Sequence, residues 1–239
     1  RSTDDGVEYA LEGVLFVPAG AGPFPAALVS HGKGGTPRGY SATIARTMVG
    51  WGLVVIATMY THAPDAEDAG NLPDGADGAS EANVLRARKA RELLACVSQA
   101  DPARVAVHGH SMGAFVSGQL LGARPGDFLV GSHSAGGVSE GPNATTPAAA
   151  GQIRTPYQLH HGDQDTVVRL ELDQALAGIL ATNSVSHELH VYQGVDHAGI
   201  AFDPTMLGRV RGWYERHGLW RAAPSRAVYL PIIQAAAAE

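Results

Sequence analysis

Apolar positions along this chain fall into two alternating patterns. Short, β-branched or nearly all-apolar runs occupy residues 13–17, 26–30, 53–59, 105–108, 128–132, 157–160 and 189–193. Several of them lack the in–out alternation of a half-solvated strand, so they read as strands buried on both faces of a parallel sheet. Between them lie segments of helical character at 40–50, 79–98, 112–123, 170–181 and 205–216. In 79–98, Val84, Leu85, Leu93, Leu94 and Val97 supply an apolar face, with Arg86, Arg88, Lys89, Arg91 and Glu92 elsewhere around it. Strand alternating with helix predicts an α/β fold with a doubly wound, mostly parallel sheet and helices on both faces. Two Gly-, Ala- and Pro-containing stretches, 62–78 and 136–151, are long for connections in a compact domain. They read either as edges of a site or as surface excursions. Residues 1–221 are expected to form one domain and 222–239 a tail, whose apolar patch at 229–233 would dock on the body or on another molecule.

Composition narrows the function classes. The chain has 239 residues, 45% hydrophobic and 17% charged, which supports a sizeable core and argues against global disorder. Its formal charge is −6 with no basic run, so nucleic acid and anionic membrane surfaces are poor partners. The single cysteine, Cys96, excludes an intramolecular disulfide and reads as a small buried apolar residue on a helix. The apolar run 53–59 is far too short to span a bilayer. The first residue is Arg1 rather than Met, so a processed or truncated start is expected. The expected location is cytoplasmic, or secreted after removal of a signal peptide, and the oligomeric state is left open.

One motif carries chemistry. Gly109-His110-Ser111-Met112-Gly113 has the form G-x-S-x-G between a predicted strand and a predicted helix. A serine on that sharp turn has strained backbone, and the residues two before and two after it must be small. Such a hydroxyl needs a base, and the base needs an orienting carboxylate. His197 follows the predicted strand 189–193 in Gly194-Val195-Asp196-His197 and is the candidate base. Asp163 and Asp165 both follow the strand 157–160; Asp165 is favoured, with Asp163 assigned a capping or turn role. Ser30-His31-Gly32-Lys33-Gly34-Gly35 follows the strand 26–30, and a Gly-rich turn there can aim backbone amides at a developing oxyanion. The expected donors are the amides of Lys33 and Met112. The Lys33 side chain either points to solvent or meets an anionic substrate group.

Together these motifs resemble the α/β-hydrolase superfamily, closest to its dienelactone-hydrolase-like esterase branch, over about residues 11–219. The resemblance rests on His31-Gly32-Lys33-Gly34-Gly35, the elbow at Ser111, His161-Gly162-x-x-Asp165-x-x-Val168 and Asp196-His197. It implies an α/β-hydrolase fold with a sheet of about eight strands, no cofactor, and a triad of Ser111, Asp165 and His197. The spacing His-Gly-x-x-Asp-x-x-Val is what favours Asp165. True dienelactone hydrolases carry a cysteine where this chain has Ser111, which moves the expectation toward general ester hydrolysis. No insertion between Phe128 and Tyr157 is long enough for a large helical lid, so a lid-gated lipase is disfavoured.

The expected substrate is a small-molecule ester with small to medium acyl or alcohol groups. Tyr60, His62, His133 and Ser134, at strand ends on the same edge, are candidates for the substrate pocket. No metal is expected: the pairs His160/His161 and His187/His190 lack carboxylate or cysteine company. His160 and His161 are read as supports for the acid loop. Asp65, Glu67, Asp68, Asp74 and Asp77 read as a solvated acidic loop rather than a calcium site. The rival readings are a thioesterase, amidase, peptidase or polyesterase, and a non-catalytic binding protein on the same fold.

Overall fold

The strand Phe24–Ser30 (β4) explains the architecture in miniature: Ala26 and Leu28 pack into one core and Ala27 and Val29 into the other. A strand buried on both faces needs apolar side chains at every position, which is why its sequence shows no alternation. In a computed structural model of the chain, residues 11–64, 76–141 and 143–220 are described, together with the backbone of two short strands, Ser2–Asp4 (β1) and Val7–Tyr9 (β2). The remaining strands are Gly13–Phe16 (β3), β4, Val54–Thr58 (β5), Ala100–His110 (β6), Val130–Ser134 (β7), Tyr157–Gly162 (β8) and His187–Tyr192 (β9). The helices are Ala42–Gly50 (α1), Glu81–Leu94 (α2), Met112–Ala123 (α3), Pro147–Ala150 (α4), Leu170–Thr182 (α5), His197–Ile200 (α6) and Pro204–Arg216 (α7).

Strands β3 to β9 form one sheet in the order β3-β5-β4-β6-β7-β8-β9, in which only β3 runs antiparallel to its neighbour. The sheet has seven strands where about eight were expected. The two N-terminal strands pair antiparallel with each other as a separate two-stranded sheet. The fold is that of an α/β-hydrolase. One face is covered by α2, α3 and α5, through Ala87, Leu94, Val116, Leu120, Leu176 and Leu180; the other is covered by α1 and α7, through Ile44, Met48, Val210 and Trp213. Two polar contacts tie α7 to the sheet: Trp213 Nε1 donates to the Gly131 carbonyl (3.1 Å) and the Tyr214 hydroxyl to the Val107 carbonyl (3.0 Å).

Element boundaries differ from expectation where end effects act. The segment 40–50 begins as a π-helical turn, Pro37–Ser41, capped by the Thr36 hydroxyl, before α1 starts. The segment 79–98 contracts to α2, which starts at the Ser80 cap and ends at Leu94. Cys96 therefore lies in the turn beyond the helix and is exposed, not buried as the sequence suggested. The short helices α4 and α6 interrupt stretches too brief for a periodic signal. The tail patch at 229–233 and four of the five acidic residues at 65–77 lie outside the described residues. Among the described residues, no helix is long and apolar enough to cross a membrane.

The chain passes from β4 outward to β5, then returns to place β6 on the other side of β4. Connections leaving the ends of β4 and β6 therefore diverge, which opens a crevice at the carboxyl edge between them. Burial predicts the energetics. Leu28→Ala, at a fully buried central position, is expected to cost about 2–5 kcal/mol in urea unfolding, against under about 1 kcal/mol for Leu15→Ala on half-exposed β3. Equal losses would contradict this division of the core.

Candidate active site

Ser111 sits at the crevice between β6 and α3 with φ 55° and ψ −121°, a conformation rare for a residue bearing a side chain. The glycines around it are required by close approach. A Cβ on Gly109 would lie 2.2 Å from the Gly113 carbonyl oxygen, and one on Gly113 would lie 2.2 Å from that of Ser30. The Ser111 amide donates to the Ser134 carbonyl at 3.0 Å, which fixes the turn against β7. Ser111 is the N-cap residue of α3, so the positive end of the helix dipole lies beside it.

Two loops from neighbouring strands reach that hydroxyl. After β9, the Asp196 side chain accepts from the Gly199 amide (2.7 Å) and so caps the single turn of α6, which presents His197. His197 Nε2 lies 2.9 Å from Ser111 Oγ, and its Nδ1 lies 2.7 Å from Asp165 Oδ2. An ionised carboxylate only accepts, so Nδ1 carries the proton and Nε2 is left to accept from the serine. Asp165 is itself fixed: its Oδ1 accepts from the Val167 and Val168 amides at 2.9 and 2.8 Å. Asp163, two residues earlier, instead accepts from the Gly194 amide at 2.7 Å, which ties the loop bearing His197 to the loop bearing Asp165.

The loop after β4 closes the other side. Gly32 packs against Ser111, with its Cβ position only 2.9 Å from Ser111 Cβ. Neither the Lys33 nor the Met112 amide donates to a backbone carbonyl among the described residues. The Lys33 side chain is turned outward and pairs with Asp77 at 3.0 Å in an exposed contact, which is worth little in stability. Gly32, Lys33, Gly34, Gly35, Tyr40, His110, Ser111, His197, Ala198, Ala201 and Phe202 line a mainly apolar cleft of about 270 Å³.

Tyr60, His62, His133 and Ser134 do not border this cleft; each is buried and engaged elsewhere. The Tyr60 hydroxyl shares a hydrogen bond with Ser30 Oγ (2.8 Å), and burial raises its pKa. His62 Nε2 donates to the His31 carbonyl (2.9 Å) and its Nδ1 accepts from the Gly78 amide (3.3 Å), so it pins the Lys33 loop from beneath. His133 bonds Asp173 and Tyr157 at 2.6 and 2.7 Å. Ser134 Oγ bonds His110 Nδ1 at 3.0 Å. His160 and His161 are buried beside the acid loop. His160 bonds Tyr192 and Gln158, and His161 bonds Asp173 and the Val168 carbonyl.

Sequence reasoning overlooked Tyr40, His110 and Phe202 as cleft walls, and Asp173 altogether. His110 was signalled by its place beside Ser111 in the elbow. Asp173 was signalled by its helical position: with Leu176 and Leu180 it falls on the buried face of α5, where a carboxylate needs a partner.

A model of the dienelactone hydrolase family matches residues 11–207, and the chain belongs to that family. It is accordingly a hydrolase. A comparison of the sequence with curated proteins returns no match. Among solved structures, an S-formylglutathione hydrolase from Agrobacterium tumefaciens superposes with a TM-score of 0.66 and 17% identity, over 85% of this chain and 89% of that one. Esterase PE8 gives 0.64 and 17%, over 86% and 98%. The acylaminoacyl peptidase of Pyrococcus horikoshii gives 0.72 and 17% over 88% of this chain, which spans only 40% of that larger protein. At such identities the likeness is one of fold.

Buried imidazoles make the native state sensitive to acid. Burial is the leading cause that pushes His31, His108 and His110 each down from 6.5 to about 3. The unfolded chain takes up these protons near pH 6.5 and the folded chain only near 3. Their contribution is therefore complete above about pH 6.5 and drains as pH falls toward 3, by up to about 1.4 kcal/mol per pH unit for each group. Calorimetry is expected to show Tm falling steadily between pH 6.5 and 5, before the carboxylates titrate; a flat Tm across that interval would contradict the assignment.

Proposed function

We propose that the protein is a serine esterase that hydrolyses carboxylic esters of small to medium acyl or alcohol groups through an acyl-enzyme on Ser111. The observation that carries this reading is the continuous hydrogen-bonded series Ser111–His197–Asp165, opening onto an apolar cleft. Ser111 Oγ attacks the ester carbonyl as His197 Nε2 takes its proton. Asp165 holds His197 in the tautomer that allows this and stabilises the imidazolium that follows. The Lys33 and Met112 amides donate to the oxyanion of the tetrahedral intermediate. His197 then gives the proton to the leaving alcohol, and a water repeats the sequence at the acyl-enzyme to release the acid.

Family membership and the esterase fold likeness support this reading over a silent binding protein. The apolar walls Tyr40, Ala201 and Phe202 favour an uncharged acyl or alcohol group, and the modest cleft volume favours a short one. No cofactor is needed for this chemistry.

The test is hydrolysis of p-nitrophenyl acetate together with labelling by a fluorophosphonate. Wild type is expected to turn over the ester and to label at Ser111. Ser111→Ala should lose both, with kcat reduced on the order of 10⁴-fold or more. Wild-type turnover by Ser111→Ala would sink the mechanism. Asp165→Asn should be far more damaging than Asp163→Asn, and the reverse result would move the acid's role to Asp163. Faster turnover of thioesters or anilides than of matched esters would reassign the leaving-group class and leave the nucleophile in place.

A further inference from the structure

Behind Asp165 lies a second set of titratable groups that the mechanism does not use. Asp173, on α5, is fully buried and bridges two imidazoles: Oδ1 lies 2.6 Å from His133 Nε2 and Oδ2 lies 2.7 Å from His161 Nδ1. His133 Nδ1 meets the Tyr157 hydroxyl at 2.7 Å. His161 Nε2 meets the Val168 carbonyl at 2.8 Å and lies 3.4 Å from Asp165 Oδ2, the same oxygen that accepts from His197.

Hydrogen-bond valence constrains the protons of His161 most tightly. The Val168 carbonyl can only accept, so His161 Nε2 carries a proton. A second proton must lie between Asp173 and His161 Nδ1, and the more basic imidazole holds it. At His133 the tyrosine hydroxyl can donate to Nδ1, so that ring needs a single proton, on the nitrogen facing Asp173. The cluster then holds a cation, His161, between two carboxylates, which helps a carboxylate as deeply buried as Asp173 stay ionised.

We propose that His161 is a charged positioning residue, held as an imidazolium by Asp173, which partly offsets the charge of Asp165 and so lets His197 shed its proton at lower pH. This rests on reading His197 and Asp165 as the base and its orienter. The direction of the titration agrees with the geometry. Burial alone would lower the proton affinity of His161, yet the Asp173 hydrogen bond and charge raise it. Burial would likewise raise Asp173, yet His133 and His161 hold it far below the usual carboxylate range.

The groups facing these two imidazoles define the field. His161 faces Asp165 from its own loop, Asp173 from α5, His133 from β7 and His197 from α6 through the shared carboxylate. His160, next along β8, turns to the other face, where it stacks on His190 of β9; burial holds His160 far below the ordinary range, so it adds no charge. His197 faces Asp165, Ser111 and the His110 ring at 4.9 Å, and His110, with its pKa near 3, is also uncharged. His161 is thus the one cation within contact of Asp165 among the described residues in the resting site. Without that cation, Asp165 holds a proton on His197 more strongly, and the base is blocked up to higher pH.

Two measurements test this. Asp173→Asn is nearly isosteric and can still bond both rings, but it removes the charge that keeps His161 protonated; His161→Gln removes the cation itself. In each, the acid limb of kcat/KM for p-nitrophenyl acetate is expected to move to higher pH by about half a unit or more relative to wild type. Folded variants that lose rate with an unmoved limb would show a merely structural role and overturn the proposal. Independently of activity and of any variant's folding, nitrogen NMR of wild-type protein labelled at histidine should reveal one ring protonated at both nitrogens at pH 8. Eleven neutral rings at that pH would overturn it even if the variants fail to fold. Failure of Ser111 to label or of wild type to hydrolyse any acyl substrate would instead sink the esterase reading, and the NMR result would still decide the charge of His161.

Discussion

A serine held at φ 55° is tolerated only where the surrounding backbone allows nothing else, and here three segments meet too closely for relaxation. The end of β4, the end of β6 and the start of α3 approach so tightly that Gly109 and Gly113 have room for no side chain, each Cβ position lying 2.2 Å from a carbonyl oxygen. The strain, of the order of 1–3 kcal/mol, is offset by the two apolar cores that clamp these strands from either side. The rest of the site depends on that turn. It sets Ser111 at the N-terminus of α3, on the wall of the cleft at the sheet's carboxyl edge.

The sheet's carboxyl edge also gathers polar groups in an apolar interior, and each is satisfied in a way that serves position. His62 stacks on Tyr60 and His31 meets both rings at an angle, and the two imidazoles hold the Lys33 loop through backbone carbonyls and amides rather than through charge. Ser132 joins His108 to Tyr214, which itself reaches the Val107 carbonyl, so β6, β7 and α7 share one small network. Neutral imidazole suits these places because it both donates and accepts, and burial disfavours its charged form. At His161 the logic reverses, because both its ring nitrogens face acceptors.

Much of this was legible in the sequence because the physics leaves strong marks. Strands buried on both faces show as apolar runs, and the elbow shows as two obligatory glycines around a serine. Loops after strands 157–160 and 189–193 were bound to emerge on the edge that carries Ser111, so Asp165 and His197 could be picked out, and the structure brings both to the serine. What stayed hidden depends on side-chain direction and on neighbours far away in the chain. Tyr60, His62 and His133 lie at the right edge but turn inward, and no local pattern tells a residue at a strand end whether it faces the cleft or the core. Asp173 hides because its two partners come from β7 and β8, 40 and 12 residues earlier in the chain. The strands β1 and β2 pair with each other outside the seven-stranded sheet, an arrangement the sequence pattern does not register.

The loop after β8 shows why two carboxylates at a spacing of two are not interchangeable. Asp163 lies nearer the strand end, where it accepts from the Gly194 amide and fixes the start of the loop that carries His197. Asp165 lies one turn further, with one oxygen taken by the Val167 and Val168 amides and the other left for His197 Nδ1. A carboxylate with one oxygen already saturated by backbone donors cannot rotate away, so its free oxygen points where the imidazole must be. His197 is thereby held from both ends of its loop, by Asp163 through the backbone and by Asp165 through the ring. The parallel pairing of β8 with β9 from Tyr157 to Gly162 fixes the register from which both side chains leave the sheet.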